Sequence, residues 1–226
     1  MKYEYILFDA DDTLLDFQDC EEHALHALLL YAGGKASDDE KTVYKKINAE
    51  WWRRFEHGEA TKAQLTVGRF ADTCDALGLN CDPNDLSGYY IDRLGEGAKL
   101  VDGAMEVCRA LYGKCRMYII TNGIQKVQES RWNRTAIKDM FDGLFISEAI
   151  GYQKPRPEYF DYVFSAIGNP PKDRVLIVGD SLTSDIAGGI AAGTDTCWVN
   201  PTGKSAGNLS PTYIIKSLTE CLDIIL

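Results

Sequence analysis

Two aspartates two positions apart, Asp9 and Asp11, stand directly behind a short apolar run at residues 3–8. Three more polar sets follow apolar runs farther along. They are Thr121-Asn122-Gly123, Gly151 through Lys154-Pro155, and Gly179-Asp180-Ser181 with Asp185. Carboxylates gathered on one rim repel one another, so Asp9, Asp11, Asp180 and Asp185 require compensating cations, and Lys154 alone cannot balance four of them. A hard divalent cation with oxygen ligands meets that requirement, and magnesium (Mg2+) is the usual choice beside phosphate. With Lys154 and Thr121 as donors opposite the carboxylates, the rim suits a phosphoryl group. One aspartate can then attack phosphorus while the other moves protons to and from the leaving group.

Each piece also has an ordinary structural use. An Asp-rich turn ends a strand, Thr-Asn-Gly forms a turn, Gly-Asp-Ser caps a helix, and Lys154-Pro155-Arg156-Pro157 is an acceptable solvated loop. What packing does not explain is their joint occurrence, in this order, behind successive strands.

The elements that must position these residues follow from periodicity. Residues 3–8 are β-prone and apolar apart from Glu4. Helical stripes then run over 21–31, 38–56, 62–77 and 83–94, with Val43, Ile47, Trp51 and Phe55 forming one stripe. After Gly95-Glu96-Gly97 the rhythm alternates. Helices are expected at 103–112, 126–137, 158–167, 184–192 and from 218, with strands at 117–121, 144–147, 175–178, 196–199 and 213–215. Short apolar runs separated by helices are the mark of a parallel sheet covered on both faces. The expected fold is therefore α/β, a Rossmann-like parallel sheet built from residues 1–16 and 98–226, with an α-helical domain of residues 17–97 inserted. Ligands of such sheets sit outside the carboxyl ends of the strands, where the polar sets fall.

The chain has 226 residues and a formal net charge of −10, with 45% hydrophobic and 26% charged residues, a globular composition. The acidic balance argues against a nucleic-acid polymer as partner, although a small phosphorylated metabolite remains compatible. No apolar run is long enough for a membrane span or signal peptide, so a cytoplasmic protein is expected. The seven cysteines are odd in number, without C-x-x-C spacing, and read as buried thiols. Cys20, His23 and His26 do not share one helical face well enough for a zinc site. A calcium loop starting at Asp9 fails, having Leu14 and Cys20 where glycine and glutamate are needed. A nucleotide P-loop ending at Gly203-Lys204-Ser205 fails because Trp198 occupies the first glycine position.

Phe8-Asp9-Ala10-Asp11-Asp12-Thr13, Thr121-Asn122-Gly123, Lys154-Pro155 and Gly179-Asp180-Ser181 with Asp185 together resemble the four motifs of the haloacid dehalogenase-like (HAD) phosphohydrolases. The resemblance spans the whole chain, including a helical cap inserted after the first strand. It implies Asp9 as nucleophile and Asp11 as general acid/base, with Thr121, Asn122 and Lys154 holding the phosphoryl group. It also implies Mg2+ on Asp9, the backbone carbonyl of Asp11 and Asp180, supported by Asp185. The second aspartate sets the chain apart from the dehalogenases of that family, which lack it. Finer similarity, in 147–155, 178–189 and Cys197-Trp198-Val199-Asn200, is to the bacterial pyrimidine 5′-nucleotidase (YjjG-like) subgroup, which implies a nucleoside monophosphate as substrate. A sugar-phosphate phosphatase, a phosphomutase and a non-catalytic phosphate-binding protein are the alternatives. Specificity is expected in the cap, where Trp51, Arg54, His57 and Arg69 are the candidates, and Gly95 and Gly97 are placed as a hinge.

Overall fold

The computed structural model describes residues 2–226. The chain forms two compact units, one of the residues up to Asp16 with Ala98–Leu226, the other of Phe17–Gly97.

Among the described residues the first unit holds six strands: β1 (Tyr5–Phe8), β2 (Arg116–Thr121), β3 (Gly143–Ile146), β4 (Val175–Gly179), β5 (Asp195–Val199) and β6 (Tyr213–Ile215). They form one parallel sheet in the order β3-β2-β1-β4-β5-β6. β1 lies between β2 and β4, with Phe8 opposite both Ile119 and Val178. The chain builds outward from β1 first on one side and then on the other. That reversal opens a crevice at the carboxyl ends of β1, β2 and β4.

Both faces of the sheet are covered, which is why its strands are continuously apolar and do not alternate. On one face Ile6, Phe8, Met117, Ile119, Leu176 and Val178 pack with Val107, Cys108 and Leu111 of α5 (Ala104–Leu111) and with Cys221 and Ile225. On the other, Leu7, Tyr118, Ile120 and Ile177 pack with Tyr159, Phe160 and Val163 of a helix over Pro157–Ala166.

The second unit is four helices, α1 (Phe17–Tyr31), α2 (Asp38–Glu56), α3 (Lys62–Leu77) and α4 (Pro83–Leu94). Their starts are set by side chains. Ser37 with Glu40 and Thr61 with Gln64 form reciprocal capping boxes, and Asp82 accepts from Asn84 N at 2.8 Å ahead of Pro83. Such caps satisfy otherwise orphaned N–H groups and contribute about 1 kcal/mol each. Gly78, with φ 65°, ends α3 in the left-handed conformation that glycine adopts without strain. Inside, Tyr44, Phe70 and Tyr90 form an aromatic cluster with ring centroids 5.3–5.9 Å apart.

Three sequence expectations are corrected here. The inner face of α2 is carried by Tyr44, Asn48 and Phe55, whereas Val43, Ile47 and Trp51 are only partly buried. They line an open groove with Arg54, Asp72 and Ala76. The helix expected at 184–192 begins instead as a π-helical turn, Leu182–Ile186, followed by a short α-helix, Ala187–Ala191. Ser147, expected to end a strand, starts the helical turn Ser147–Ile150. Among the described residues no helix is long and apolar enough to cross a membrane.

Candidate active site

β1 runs on into the site, because Asp9 N donates to Val178 O at 2.9 Å and continues the pairing with β4. The chain then turns tightly. Leu14 N and Leu15 N both donate to Ala10 O, at 3.0 and 2.8 Å, and Asp12 N donates to Leu15 O at 2.8 Å. Asp12 sits at φ 55°, a left-handed conformation that aspartate tolerates better than most side chains. This turn sends Asp9 and Asp11 into different surroundings.

Asp9 points into the crevice and is buried. Its Oδ1 accepts from Lys154 Nζ at 2.7 Å. The same ammonium donates to Asp185 Oδ1 at 2.6 Å and to the carbonyl of Ile120 at 2.8 Å, so its three protons have three acceptors. Lys154 is 1% exposed, and two buried carboxylates beside it outweigh the desolvation that would strip its proton. Its charge is therefore fixed.

Asn122 holds Lys154 in place. Its Nδ2 donates to Lys154 O and its Oδ1 accepts from Lys154 N, both at 2.8 Å. The structure thus gives Asn122 a clamping contact on the lysine main chain where the sequence suggested a phosphate contact.

Asp180 and Asp185 follow β4. Asp185 is fully buried, and its Oδ2 accepts from Ser181 N at 3.1 Å. The π-helical turn makes this possible by carrying Asp185 back over its own start, with Ile186 N donating to Ser181 O at 3.1 Å. A Cβ at position 179 would lie 2.3 Å from Asp185 Oδ2, so Gly179 is required by the carboxylate. Trp198 Nε1 donates to Asp180 O at 2.8 Å and anchors that loop to β5.

Asp9, Asp180 and Asp185 bring carboxylate oxygens within 4.8 Å of one another. The crowding shows in their proton affinities. Burial, and then the like charges of Asp185, Asp180 and Asp11, push Asp9 well above the usual carboxylate range against the pull of Lys154. Burial and the charges of Asp185 and Asp12 push Asp180 up to about 7. One lysine leaves this cluster short of positive charge, and its donors are all hard oxygens. The residues fit a small divalent cation.

Asp11 lies outside the cluster. Its Oδ1 accepts from Arg131 Nη1, and its Oδ2 accepts from Gln128 Nε2 at 2.6 Å. Both partners sit on α6 (Gln125–Arg134), directly behind Thr121-Asn122-Gly123. Gln128 Nε2 also donates to Thr121 Oγ1 at 2.9 Å, and that hydroxyl accepts from Gly123 N at 3.0 Å. Two carboxylates in two environments suit two roles, one beside a fixed cation in the crevice and one in a guanidinium–amide grip.

Sequence reasoning missed Gln128 and Arg131, because glutamine and arginine on a polar helix read as a solvated face. The available signal was Gly123. It does not adopt a positive φ, and a Cβ there would lie 2.1 Å from Gln128 Nε2, so it makes room for that amide.

The four candidates in the helical unit do not converge. Trp51 Nε1 donates to Asp72 at 2.7 Å, and the Arg54 guanidinium lies 4.3 Å from the Trp51 ring centre, along the outer groove. His57 is exposed at the end of α2, its Nδ1 2.8 Å from Arg53 O. Arg69 is in the interior, donating to Asn48 Oδ1 at 2.9 Å and lying against Phe70 and Tyr90.

The chain resembles known proteins along nearly its whole length. The chain is 40% identical to the HAD-hydrolase YfnB of Bacillus subtilis over 225 residues, 99% of this chain and 96% of that one. A crystal structure of YfnB bound to magnesium superposes with a TM-score of 0.94, covering 100% of this chain and 99% of that one. The pyrimidine 5′-nucleotidases YjjG of Escherichia coli and PynA of Streptococcus pneumoniae are 36% and 33% identical. The alignments cover 97% and 99% of this chain and 96% of each relative. Residues 3–193 match the family model described as haloacid dehalogenase-like hydrolase. With that match and these relatives along its whole length, the chain belongs to the haloacid dehalogenase-like hydrolases.

Proposed function

We propose that this hydrolase is a phosphomonoesterase that works through an aspartyl-phosphate on Asp9, with nucleoside 5′-monophosphates as substrates. The observation that carries the chemistry is Lys154, whose fixed ammonium bridges Asp9 and Asp185 at 2.7 and 2.6 Å beside the third clustered carboxylate, Asp180. The substrate class rests on similarity to YjjG and PynA, both pyrimidine 5′-nucleotidases.

In this reading Asp9 Oδ attacks phosphorus and the P–O ester bond breaks. The leaving oxygen takes a proton from Asp11. Water then attacks the phosphorus of the aspartyl-phosphate, Asp11 takes the water's proton, and the Asp9–phosphorus bond breaks to release phosphate. Lys154 and Thr121 orient the phosphoryl oxygens, and Asn122 keeps Lys154 in place. Asp9, the backbone carbonyl of Asp11 and Asp180 would hold Mg2+, with Asp185 supporting them. The bound ion would supply positive charge for the phosphoryl oxygens. We assign residues 1–16 and 98–226 as the catalytic core and 17–97 as the cap that sets specificity. Trp51, Arg54 and His57 reach solvent there and are stronger candidates for substrate contact than the interior Arg69.

The direct test is phosphate release from a panel of nucleoside monophosphates and sugar phosphates, with magnesium and with chelator. Release that needs magnesium and favours pyrimidine monophosphates is the expected result. A preference for sugar phosphates would keep the chemistry and overturn the substrate class, and conversion of a substrate into a phosphorylated isomer would mark a mutase.

Cation binding has a pH signature. Between its ordinary value of 3.8 and about 7, Asp180 holds a proton in the folded chain that the unfolded chain has released. Its folded value is raised, so stability without a divalent ion falls as the pH climbs through that window. A cation at about 100 times its Kd adds about 2.7 kcal/mol, or about 5–10 °C in Tm for a chain of this size. Thermal melts should show that full shift at pH 8 and a smaller one at pH 5, where the ion competes with the proton. Equal shifts at both values would sink the assignment of Asp180 as a ligand.

A further inference from the structure

The phosphatase reading leaves open what fixes the proton-handling carboxylate at the correct distance from the phosphoryl group. Nothing in the turn that carries Asp11 does so, because its main-chain hydrogen bonds hold the backbone and leave the side chain to rotate. The grip comes from α6. Gln128 and Arg131 are three residues apart, so they project from one face of that helix, and they are 3% and 0% exposed. Arg131 Nη1 takes one oxygen of Asp11, and Gln128 Nε2 takes the other at 2.6 Å. Gln128 Oε1 lies 3.5 Å from Arg131 Nη1, so the two side chains also steady each other.

The informative contact is the second one made by the glutamine. A primary amide nitrogen carries two protons, and here one goes to Asp11 Oδ2 and the other to Thr121 Oγ1 at 2.9 Å. One planar group therefore sets the spacing between the carboxylate that serves the leaving oxygen and the hydroxyl that serves the phosphoryl oxygens. Gly123 belongs to the same device. A Cβ there would meet Nε2, Cδ and Cγ of Gln128 at 2.1, 2.6 and 2.6 Å, so any other residue would displace the amide.

We propose that Gln128 and Arg131 are positioning residues that hold the Asp11 carboxyl in register with Thr121, so that Asp11 reaches the leaving-group oxygen. They act through Asp11, and Gln128 also through Thr121, and do not touch the reacting atoms. The inference rests on the aspartyl-phosphate reading above. It concerns the first half-reaction, in which the Asp9–phosphorus bond forms, the phosphorus–oxygen ester bond breaks, and the departing oxygen takes the proton of Asp11.

The device predicts a dependence on the leaving group that general damage to the fold would not produce. An alkoxide leaving from a nucleoside monophosphate needs its proton in the transition state, whereas nitrophenolate leaving from p-nitrophenyl phosphate needs it little. The quantity to read is kcat/KM, which reports bond cleavage up to phosphorylation of Asp9 and not the later hydrolysis. Misplacement of a catalytic group by about 1 Å costs about 10²-fold. Arg131→Met leaves the Gln128 contact to Thr121 in place, so it should lower kcat/KM for the nucleoside monophosphate by about 10²-fold and that for p-nitrophenyl phosphate by less than about fivefold. Gln128→Met and Gly123→Ala also release Thr121, so they should lower both, the nucleoside monophosphate by a factor at least about tenfold larger. Gly123→Ala matters most, since it leaves both side chains in the protein and only displaces one of them. It also keeps the test alive if a variant of buried Arg131 fails to fold.

Asp11→Asn, measured beside them, separates the two layers of the argument. If Asp11→Asn shows the leaving-group dependence and the three variants lose both substrates equally, the positioning role is overturned and the mechanism stands. If Asp11→Asn is itself indifferent to the leaving group, the mechanism falls and the positioning role with it.

Discussion

Asp9→Asn is expected to abolish turnover, with kcat falling by about 10⁴-fold or more, the range seen when a nucleophile acting as part of a unit is removed. Asparagine keeps the size of the side chain and a carbonyl oxygen that still accepts from Lys154, so the loss is not structural. What it loses is the charge that attacks phosphorus in the proposed mechanism. The variant should fold, because Lys154 retains Asp185 and the Ile120 carbonyl as partners at 2.6 and 2.8 Å. Burial and like charge already work against ionised Asp9, so neutralising this position relieves a cost as well as removing an ion pair. Circular dichroism and thermal melts should match the parent within a few degrees. Two measurements check the claim together, steady-state turnover and an acid quench of the parent that leaves phosphate on Asp9. Activity within about tenfold of the parent would exclude Asp9 as the covalent site.

Lys154→Met is the second, and it should damage stability as well as activity. The ammonium is buried against two carboxylates, one of them fully buried, and methionine fills most of its volume while leaving both uncompensated. Breaking a buried pair by removing one partner costs about 3–5 kcal/mol, which for this chain length corresponds to about 6–20 °C in Tm. Activity should fall below detection, because in the proposed mechanism the same nitrogen orients the phosphoryl group. The pH dependence identifies the cause. Lys154 pulls Asp9 down, so without it Asp9 binds its proton more tightly still. A raised folded-state value means stability present at low pH and lost as the pH rises, so the variant should recover part of its deficit as the pH is lowered. A deficit that does not change with pH would instead point to poor packing of the methionine.

Much of this architecture was legible in the sequence, for identifiable reasons. The bounds that periodicity gives for α2, α3 and α4 match the structure, and the caps found there, Ser37 with Glu40, Thr61 with Gln64, and Asp82 before Pro83, are the local chemistry that fixes each start. The buried strands were readable because a sheet covered on both faces leaves runs such as Val175–Gly179 apolar at every position. The failures at α2, at the π-helical turn and on α6 share a different cause, a buried polar side chain satisfied by a partner that periodicity does not report. Asn48 faces inward on α2 because Glu21 and Arg69 meet its amide at 3.1 and 2.9 Å, and that rotates the helix away from the stripe suggested by Val43, Ile47 and Trp51. The π-helical turn exists around the Asp185 contact to Ser181 N, which no periodicity encodes. Gln128 and Arg131 are buried only because Asp11, on a turn far earlier in the chain, receives them. Periodicity reports which residues avoid water. It is silent on polar groups that leave water for one another.

The place of β1 in the sheet bears on how the chain reaches this state. Tyr5 pairs with Arg116 on one side and with Val175 on the other, so the central strand is made first and its partners come much later. Between them lie α1 to α4, whose helical hydrogen bonds and neighbouring contacts are short in sequence and close quickly. On a ribosome adding roughly 5–20 residues each second, an apolar segment with two unsatisfied edges must therefore wait several seconds. The helices of residues 17–97 have time to assemble in that interval, while the strand that leads to Asp9 stays unpaired and open to chaperones or to self-association. Formation of the catalytic crevice is thus a late event, gated by β4. A ribosome-bound chain stalled before Val175 should present β1 to proteases, and one extended past Val199 should protect it.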